Sequence, residues 1–166
     1  MYINFREITV ALDHEMNKLN LSLKNISRVD SNFSVNILKE KENSITPQSW
    51  MEGWTIEAGM LAMKYILESG QSTEVVLTAN DMIAIGAGQA IKSSEIKVPE
   101  QLQIIGINNN EMSSLVSPSI SSIDIPKTTL AKEVVCLTNK HIKGNDTNAY
   151  HININTHYIK RESTQF

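Results

Sequence analysis

Apolar residues recur at helical spacing in four stretches of the chain and form alternating or continuous short runs in five others. Ile8, Leu12, Met16 and Leu19 fall on one face and predict a helix over Arg6–Leu19. Phe33, Val35 and Ile37 alternate with polar residues and predict a short strand over Phe33–Leu38, followed by a solvated loop, Lys39–Asn43. Thr46-Pro47 reads as a helix start, with Thr as N-cap and Pro in the first helical position. That helix is expected to run through Trp54, Ala58, Leu61, Ala62 and Ile66 and to stop at Gly70. Glu74–Ala79 (EVVLTA) is an apolar run of the kind found in buried strands. Asn80 or Asp81 then caps a helix over MIAIGAGQAIKS. Val98-Pro99 interrupts the chain before a second strand, Leu102–Ile107 (LQIIGI).

Residues 108–119 read as a loop with one helical turn, and Ser119–Asp124 as a strand. A last helix starts at Pro126, places Leu130, Val134, Leu137 and His141 along one side, and ends at Gly144. In Tyr150–Tyr158 the residues Tyr150, Ile152, Ile154 and Tyr158 face one way, and His151, Asn153, Asn155 and His157 the other. Helices alternating with short apolar strands imply an α/β fold: a doubly wound, mostly parallel sheet with helices on both faces. Ligands of such sheets bind beyond the carboxyl ends of the strands. Asn80 directly follows EVVLTA and Asn108 directly follows LQIIGI, so the two are expected to share one crevice.

An amide carries a donor and an acceptor, so it can hold a neutral, hydroxyl-rich ligand at two atoms without burying a charge. Trp54 offers an aromatic face for a sugar ring and Arg6 a fork of donors. The set suits a carbohydrate or nucleoside. The competing reading is structural: an Asn at a strand end caps the next helix, and a lone Trp belongs to a core or an interface.

Charge and composition narrow the classes. Fifteen Lys and Arg against 18 Asp and Glu give a net charge of −3, which speaks against a DNA-binding surface on these residues themselves. The single cysteine, Cys136, rules out an internal disulfide and a cysteine-rich zinc site, and suits a reducing, cytoplasmic setting. Placed mid-helix on an apolar background, it is expected to be a buried thiol. No apolar run approaches the ~18 residues a membrane span needs, and the acidic, mixed N-terminus lacks the order of a signal peptide. Catalytic constellations are missing: there is no G-x-S-x-G elbow, and His14, His141, His151 and His157 have no metal-ligand spacing. Gly86-Ala87-Gly88 lies inside a helix and reads as a site of close helix packing, not a phosphate loop. Asp81 reads as a helix-capping carboxylate in preference to a general base.

At Thr78–Lys92 (TANDMIAIGAGQAIK) the chain resembles the LacI/GalR-type bacterial transcription regulators. Their A-N-D-x-x-A-x-G-A motif is matched by Ala79, Asn80, Asp81, Ala84, Gly86 and Ala87. The V-P that follows is Val98-Pro99, and G-[FY]-D-D is represented by Gly106-Ile107-Asn108-Asn109. P-x-[LI]-[TS]-[TS] is matched by Pro118-Ser119-Ile120-Ser121-Ser122, followed by Pro126, and R-x-S-T by Arg161-Glu162-Ser163-Thr164. The resemblance covers residues 50–166 most fully and the first 20 more weakly.

The resemblance implies a lobe of a periplasmic-binding-protein-like effector domain. By it, residues 1–166 are mainly the C-terminal lobe, without the helix-turn-helix and most of the N-terminal lobe. It implies a cytoplasmic repressor that senses a small effector, expected to be a sugar, needs no cofactor or metal, and has no enzymatic activity. Its effector-binding positions fall on Asn80, Asn108, Trp54 and Arg6, with Asn108 standing where the family has Asp and so lacking the charged acceptor. It further implies a homodimer using the helix after Asn80 and the turn after Asn110, through Met82, Ile83, Ile91, Met112 and Leu115. The alternative is a stand-alone sugar- or solute-binding protein of the same fold.

Overall fold

The computed structural model describes residues 53–70, 72–144 and 148–165. The helix expected over Arg6–Leu19, the strand expected over Phe33–Leu38 and the helix start at Thr46-Pro47 lie outside them. The elements, in order, are α1 (Ile56–Glu68), β1 (Val75–Leu77), α2 (Asp81–Lys92), β2 (Gln103–Ile107), α3 (Met112–Leu115), β3 (Ser121–Asp124), α4 (Lys127–Ile142) and β4 (His157–Ile159). The sheet order is β1-β2-β3-β4. β1, β2 and β3 run parallel, with Leu77 beside Ile105 and Ile105 beside Ser121. β4 returns antiparallel to β3, pairing His157 with Asp124. This is the mostly parallel α/β sheet that the alternating pattern predicts.

Local chemistry sets the helix ends. Thr55 is extended and its Oγ1 accepts the Ala58 N–H at 3.2 Å, so α1 begins at Ile56. Trp54 therefore lies in the turn before the cap, not within the helix as its spacing suggested. Gly70 and Gly144 take positive φ (+69° and +67°) just beyond α1 and α4, the left-handed conformation that releases a chain from a helix.

Packing is governed by α2, which lies between α1 and the sheet. Met63 and Ile66 of α1, Ala84, Ile85, Ala87, Ala90 and Ile91 of α2, and Leu102, Ile104 and Ile120 beside or within the strands form one buried cluster. Two glycines allow α1 and α2 to approach backbone to backbone. A Cβ at Gly86 would lie 1.9 Å from the Ile56 carbonyl oxygen, and one at Gly59 would lie 2.2 Å from that of Ile83. Close packing is thus the role of the Gly86-Ala87-Gly88 segment.

Four expectations change. The strand in Glu74–Ala79 is limited to Val75–Leu77, and only Val76 packs against the core, while Val75 and Leu77 are 45% and 41% exposed. Period-two alternation puts Val75 and Leu77 on the sheet face away from α2, which α2 cannot cover. Of Tyr150–Tyr158 only the last two residues join the ladder, and Tyr150 and Ile152 are exposed. Helix α4 buries none of its residues among those described, although Leu130, Val134 and Leu137 share a side. The cluster is already closed by α1 and α2, and α4 contributes nothing to it. Cys136 is for the same reason an exposed thiol, not a buried one.

The C-terminal tail completes the sheet. Ser163, fully buried, inserts where β3 has not yet begun to pair with β2. The Ile104 N–H donates to the Ser163 carbonyl at 3.0 Å, and the Ser163 N–H donates to the Ser119 carbonyl at 2.9 Å. The Ser163 hydroxyl donates to the Ile104 carbonyl at 2.6 Å and accepts the Ser121 N–H at 2.8 Å. Beside it the Ser121 and Thr164 hydroxyls are paired at 2.8 Å, and Tyr158 reaches Thr164 at 2.6 Å.

Two outcomes follow. Alanine has the higher helix propensity, by about 1 kcal/mol over glycine. Gly86→Ala should nevertheless destabilise the chain by about 1–3 kcal/mol, because its methyl meets immovable backbone; urea unfolding would show a lower midpoint, and an unchanged or higher one would contradict this packing. Ser163→Ala strands two buried backbone groups and should cost about 1–3 kcal/mol for each left unsatisfied, read as a fall in the thermal midpoint.

Candidate functional site

The turns after β1 and β2 lie beyond the strand ends, where the crevice is expected. These strands are parallel neighbours, so Asn80 and Asn108 leave the sheet on the same side. Trp54 joins them: its carbonyl accepts a hydrogen bond from Asn80 Nδ2 at 3.2 Å, and its side chain is 39% exposed. Three of the four residues proposed to contact an effector thus meet at one end of the sheet. The fourth, Arg6, lies outside the described residues.

The asparagines are not equivalent. Asn80 is buried and caps α2, with Oδ1 accepting the Ile83 N–H at 2.8 Å. Its amide is therefore already committed at both atoms, leaving one N–H and one lone pair. Asn108 is half-buried, and its side-chain amide makes no hydrogen bond among the described residues. Its backbone is engaged: the N–H donates to the Ile123 carbonyl at 2.9 Å, and the carbonyl accepts from Lys127 Nζ at 2.7 Å.

Asn108 and Asn109 both have positive φ, +97° and +49°. Side-chain-bearing residues rarely adopt this region, and Asn is among those that tolerate it. The turn is held from two sides. On one, the buried Asp81 carboxylate accepts the Ser122 hydroxyl at 2.6 Å through Oδ1 and the Asn110 N–H through Oδ2. Ser122 Oγ in turn accepts the Asn109 N–H at 3.0 Å. Asp81 fits only because position 106 is glycine, where a Cβ would come within 2.0 Å of Oδ1. On the other side, Arg161 donates to Asn109 Oδ1 at 2.5 Å and to the Ile120 carbonyl at 2.7 Å. Asn109 Nδ2 donates to Asp124 Oδ1 at 3.1 Å.

Sequence reasoning placed Asn80 and Asn108 together but met Ser122, Arg161 and Gly106 only as motif matches, with no role at this turn. The first two lie 41 and 52 residues from the groups they hold, and no periodicity reports contacts at that range. Asp81 was noticed, as a cap; its carboxylate instead ties the β1 and β2 turns to β3.

Of the apolar residues assigned to a dimer face, Met112 and Leu115 are exposed, at 44% and 75%, and Met82 and Ile83 are half-buried. Ile91 is a correction. It is buried in the core cluster, on the side of α2 that meets the sheet and α1, and offers no surface to a partner. No group of three or more His, Cys, Asp or Glu among the described residues can hold a metal ion. No described helix is long and apolar enough to cross a membrane.

Comparison with known proteins bears on the family and the fold. A family model described as a periplasmic binding protein-like domain matches residues 11–164. The chain is 30% identical to the ribose operon repressor of Haemophilus influenzae over 77% of its length and 39% of that protein's. It is 33% identical to the NTD biosynthesis operon regulator NtdR of Bacillus subtilis, over 69% of this chain and 36% of the relative. The chain thus spans under two fifths of these relatives, which are transcription regulators and not enzymes. Among solved structures it is similar to a complex of the regulator CelR with cellobiose, with TM-score 0.61 and 25% identity over 66% of this chain and 33% of that one. It is also similar to a LacI family regulator from Arthrobacter sp. FB24 in complex with lactose, with TM-score 0.59 and 26% identity over 67% of this chain and 42% of that one. With a family model matching nearly its whole length and regulators of one type among its relatives, the chain belongs to the periplasmic binding protein-like family, as the effector-binding domain of a LacI-type transcription regulator.

Proposed function

We propose that this chain is mainly the C-terminal lobe of that effector domain and supplies one wall of a cleft for a small sugar. The observation that carries this reading is the juxtaposition of Asn80, Asn108 and Trp54 beyond the carboxyl ends of two parallel strands. Asn108 is the principal polar contact, since its amide has no protein partner among the described residues. Trp54 offers an apolar face to the sugar ring, and Arg6 adds donors from the opposite end of the chain. Asn80 contributes its remaining N–H while holding Trp54 in place. The sugars named with the relatives, ribose, cellobiose and lactose, are the natural first probes.

In this reading the sugar bridges two lobes and favours a closed arrangement, a shift of population driven by its differential affinity for the two states. Closure is coupled to operator binding by a helix-turn-helix elsewhere in such a repressor, and the coupling is reciprocal. Two copies pair through Met82, Ile83, Met112 and Leu115, whose exposed members Met112 and Leu115 form an apolar surface on α3. A cytoplasmic location goes with this role.

A single wall holds a ligand poorly. Titration of the chain with D-ribose, cellobiose or lactose should give roughly millimolar or weaker affinity, with NMR shifts concentrated at Trp54, Asn80 and Asn108 and abolished by Asn108→Ala. Micromolar affinity by calorimetry, or shifts located elsewhere, would contradict the assignment. Sedimentation should show a homodimer that Leu115→Glu dissociates; a monomeric wild-type chain would count against the dimer face.

A further inference from the structure

We infer that Arg161, together with Asp81, is a positioning residue of the sugar site: the two set the left-handed turn at Asn108–Asn110 and so leave Asn108 as the amide available to a ligand. The inference rests on the reading of the site given above and adds to it the groups that shape it from behind. Three consecutive asparagines occupy this turn, and the protein commits two of them. Asn110 Oδ1 accepts the Met112 N–H at 3.0 Å, and its carbonyl accepts the Ser113 N–H at 3.0 Å. Asn109 is held at both amide atoms, by Arg161 and Asp124. Of the three, only Asn108 has neither amide atom hydrogen-bonded among the described residues, since Asn110 is held at its oxygen and Asn109 at both atoms.

The charges on either side fix which way the Asn109 amide lies. Its oxygen faces the guanidinium and its nitrogen faces the carboxylate; the reverse would set donor against donor and acceptor against acceptor. A neutral amide is thereby locked between a cation and an anion, and the positive φ of its backbone is over-determined. Asp81 performs the matching task on the other flank, by accepting from Asn110 and, through Ser122, orienting the acceptor of the Asn109 N–H.

Arg161 does not need its side chain to dock the tail. Its backbone already does that, since its N–H donates to Ser121 Oγ at 2.8 Å. Ser163 and Thr164 anchor the same segment independently. The guanidinium is therefore free of that duty, and its planar fork spans Asn109, the Ile120 carbonyl and Ser113 Oγ, at 3.3 Å. An ammonium group cannot reproduce this planar fork.

The test is made on the 166-residue chain without sugar, by NMR, with Arg161→Met, Arg161→Lys, Asp81→Asn and Ser163→Ala. Wild type should show the strong intraresidue amide–Hα contact of positive φ at Asn108 and Asn109, and slow exchange of the Asn109 side-chain amide. Arg161→Met and Asp81→Asn should each lose the positive-φ signature, and Arg161→Met should also lose the slow amide exchange. Arg161→Lys should restore part of both signals. Ser163→Ala should lower the thermal midpoint and leave both signals intact. An Arg161→Met chain that keeps the signature, whether or not its midpoint falls, overturns the inference. Because no ligand is present, the readout is separate from sugar binding: a chain that behaves as expected but binds no sugar supports the positioning role while refuting the reading of the site.

Discussion

The carboxyl end of this sheet is organised around one buried carboxylate. Asp81 stands at the first position of α2, where the exposed N–H groups of the helix favour negative charge. Burying it is acceptable only because it is hydrogen-bonded, and its partners come from the turn after β2 and from β3. A single side chain following β1 thereby connects the turn after β2 to Ser122 within β3. The glycine at 106 is the steric condition for this contact, and the left-handed asparagines are its conformational consequence.

The same economy applies to the hydrophobic side. α2 is held so closely between α1 and the sheet that glycine is required at the helix crossing, and eight of its twelve residues are buried as a result. The far end of the chain then finishes the sheet: Ser163 supplies backbone and side-chain hydrogen bonds where β2 and β3 would otherwise diverge. Among the described residues every buried side-chain polar atom has a partner. That satisfaction is what allows Ser121, Ser122 and Ser163 to lie at the centre of the fold at no net penalty. α4 stands apart from this arrangement, with its apolar residues unburied among the described part of the chain.

The four asparagines at this end of the sheet have different structural duties. Asn80 caps a helix and holds Trp54, Asn109 bridges Arg161 and Asp124, and Asn110 stabilises the start of α3. Of these four, Asn108 alone has neither amide atom hydrogen-bonded among the described residues. In the proposed site the cap falls to Asn80 and the principal ligand contact to Asn108, with Asn80 adding its remaining N–H.

What the sequence determined by itself was everything carried by local period and local chemistry. The apolar runs before Asn80 and Asn108, the caps, and the glycines at helix ends specify strands, helices and their order, because each depends on residues within one or two turns of one another. Strand order along the chain then places Asn80 and Asn108 at the same end of the sheet, as parallel neighbours must be. Tertiary structure alone decided the rest. Whether Cys136 and the apolar side of α4 are buried depends on which helices pack against the core, and Ile91 belongs to the core because α2 is covered on two sides. The holding of the Asn108–Asn110 turn by Asp81, Ser122 and Arg161 joins residues 13 to 52 positions apart. Such contacts leave no trace in periodicity, because they arise from how whole elements pack and not from how neighbouring residues are spaced.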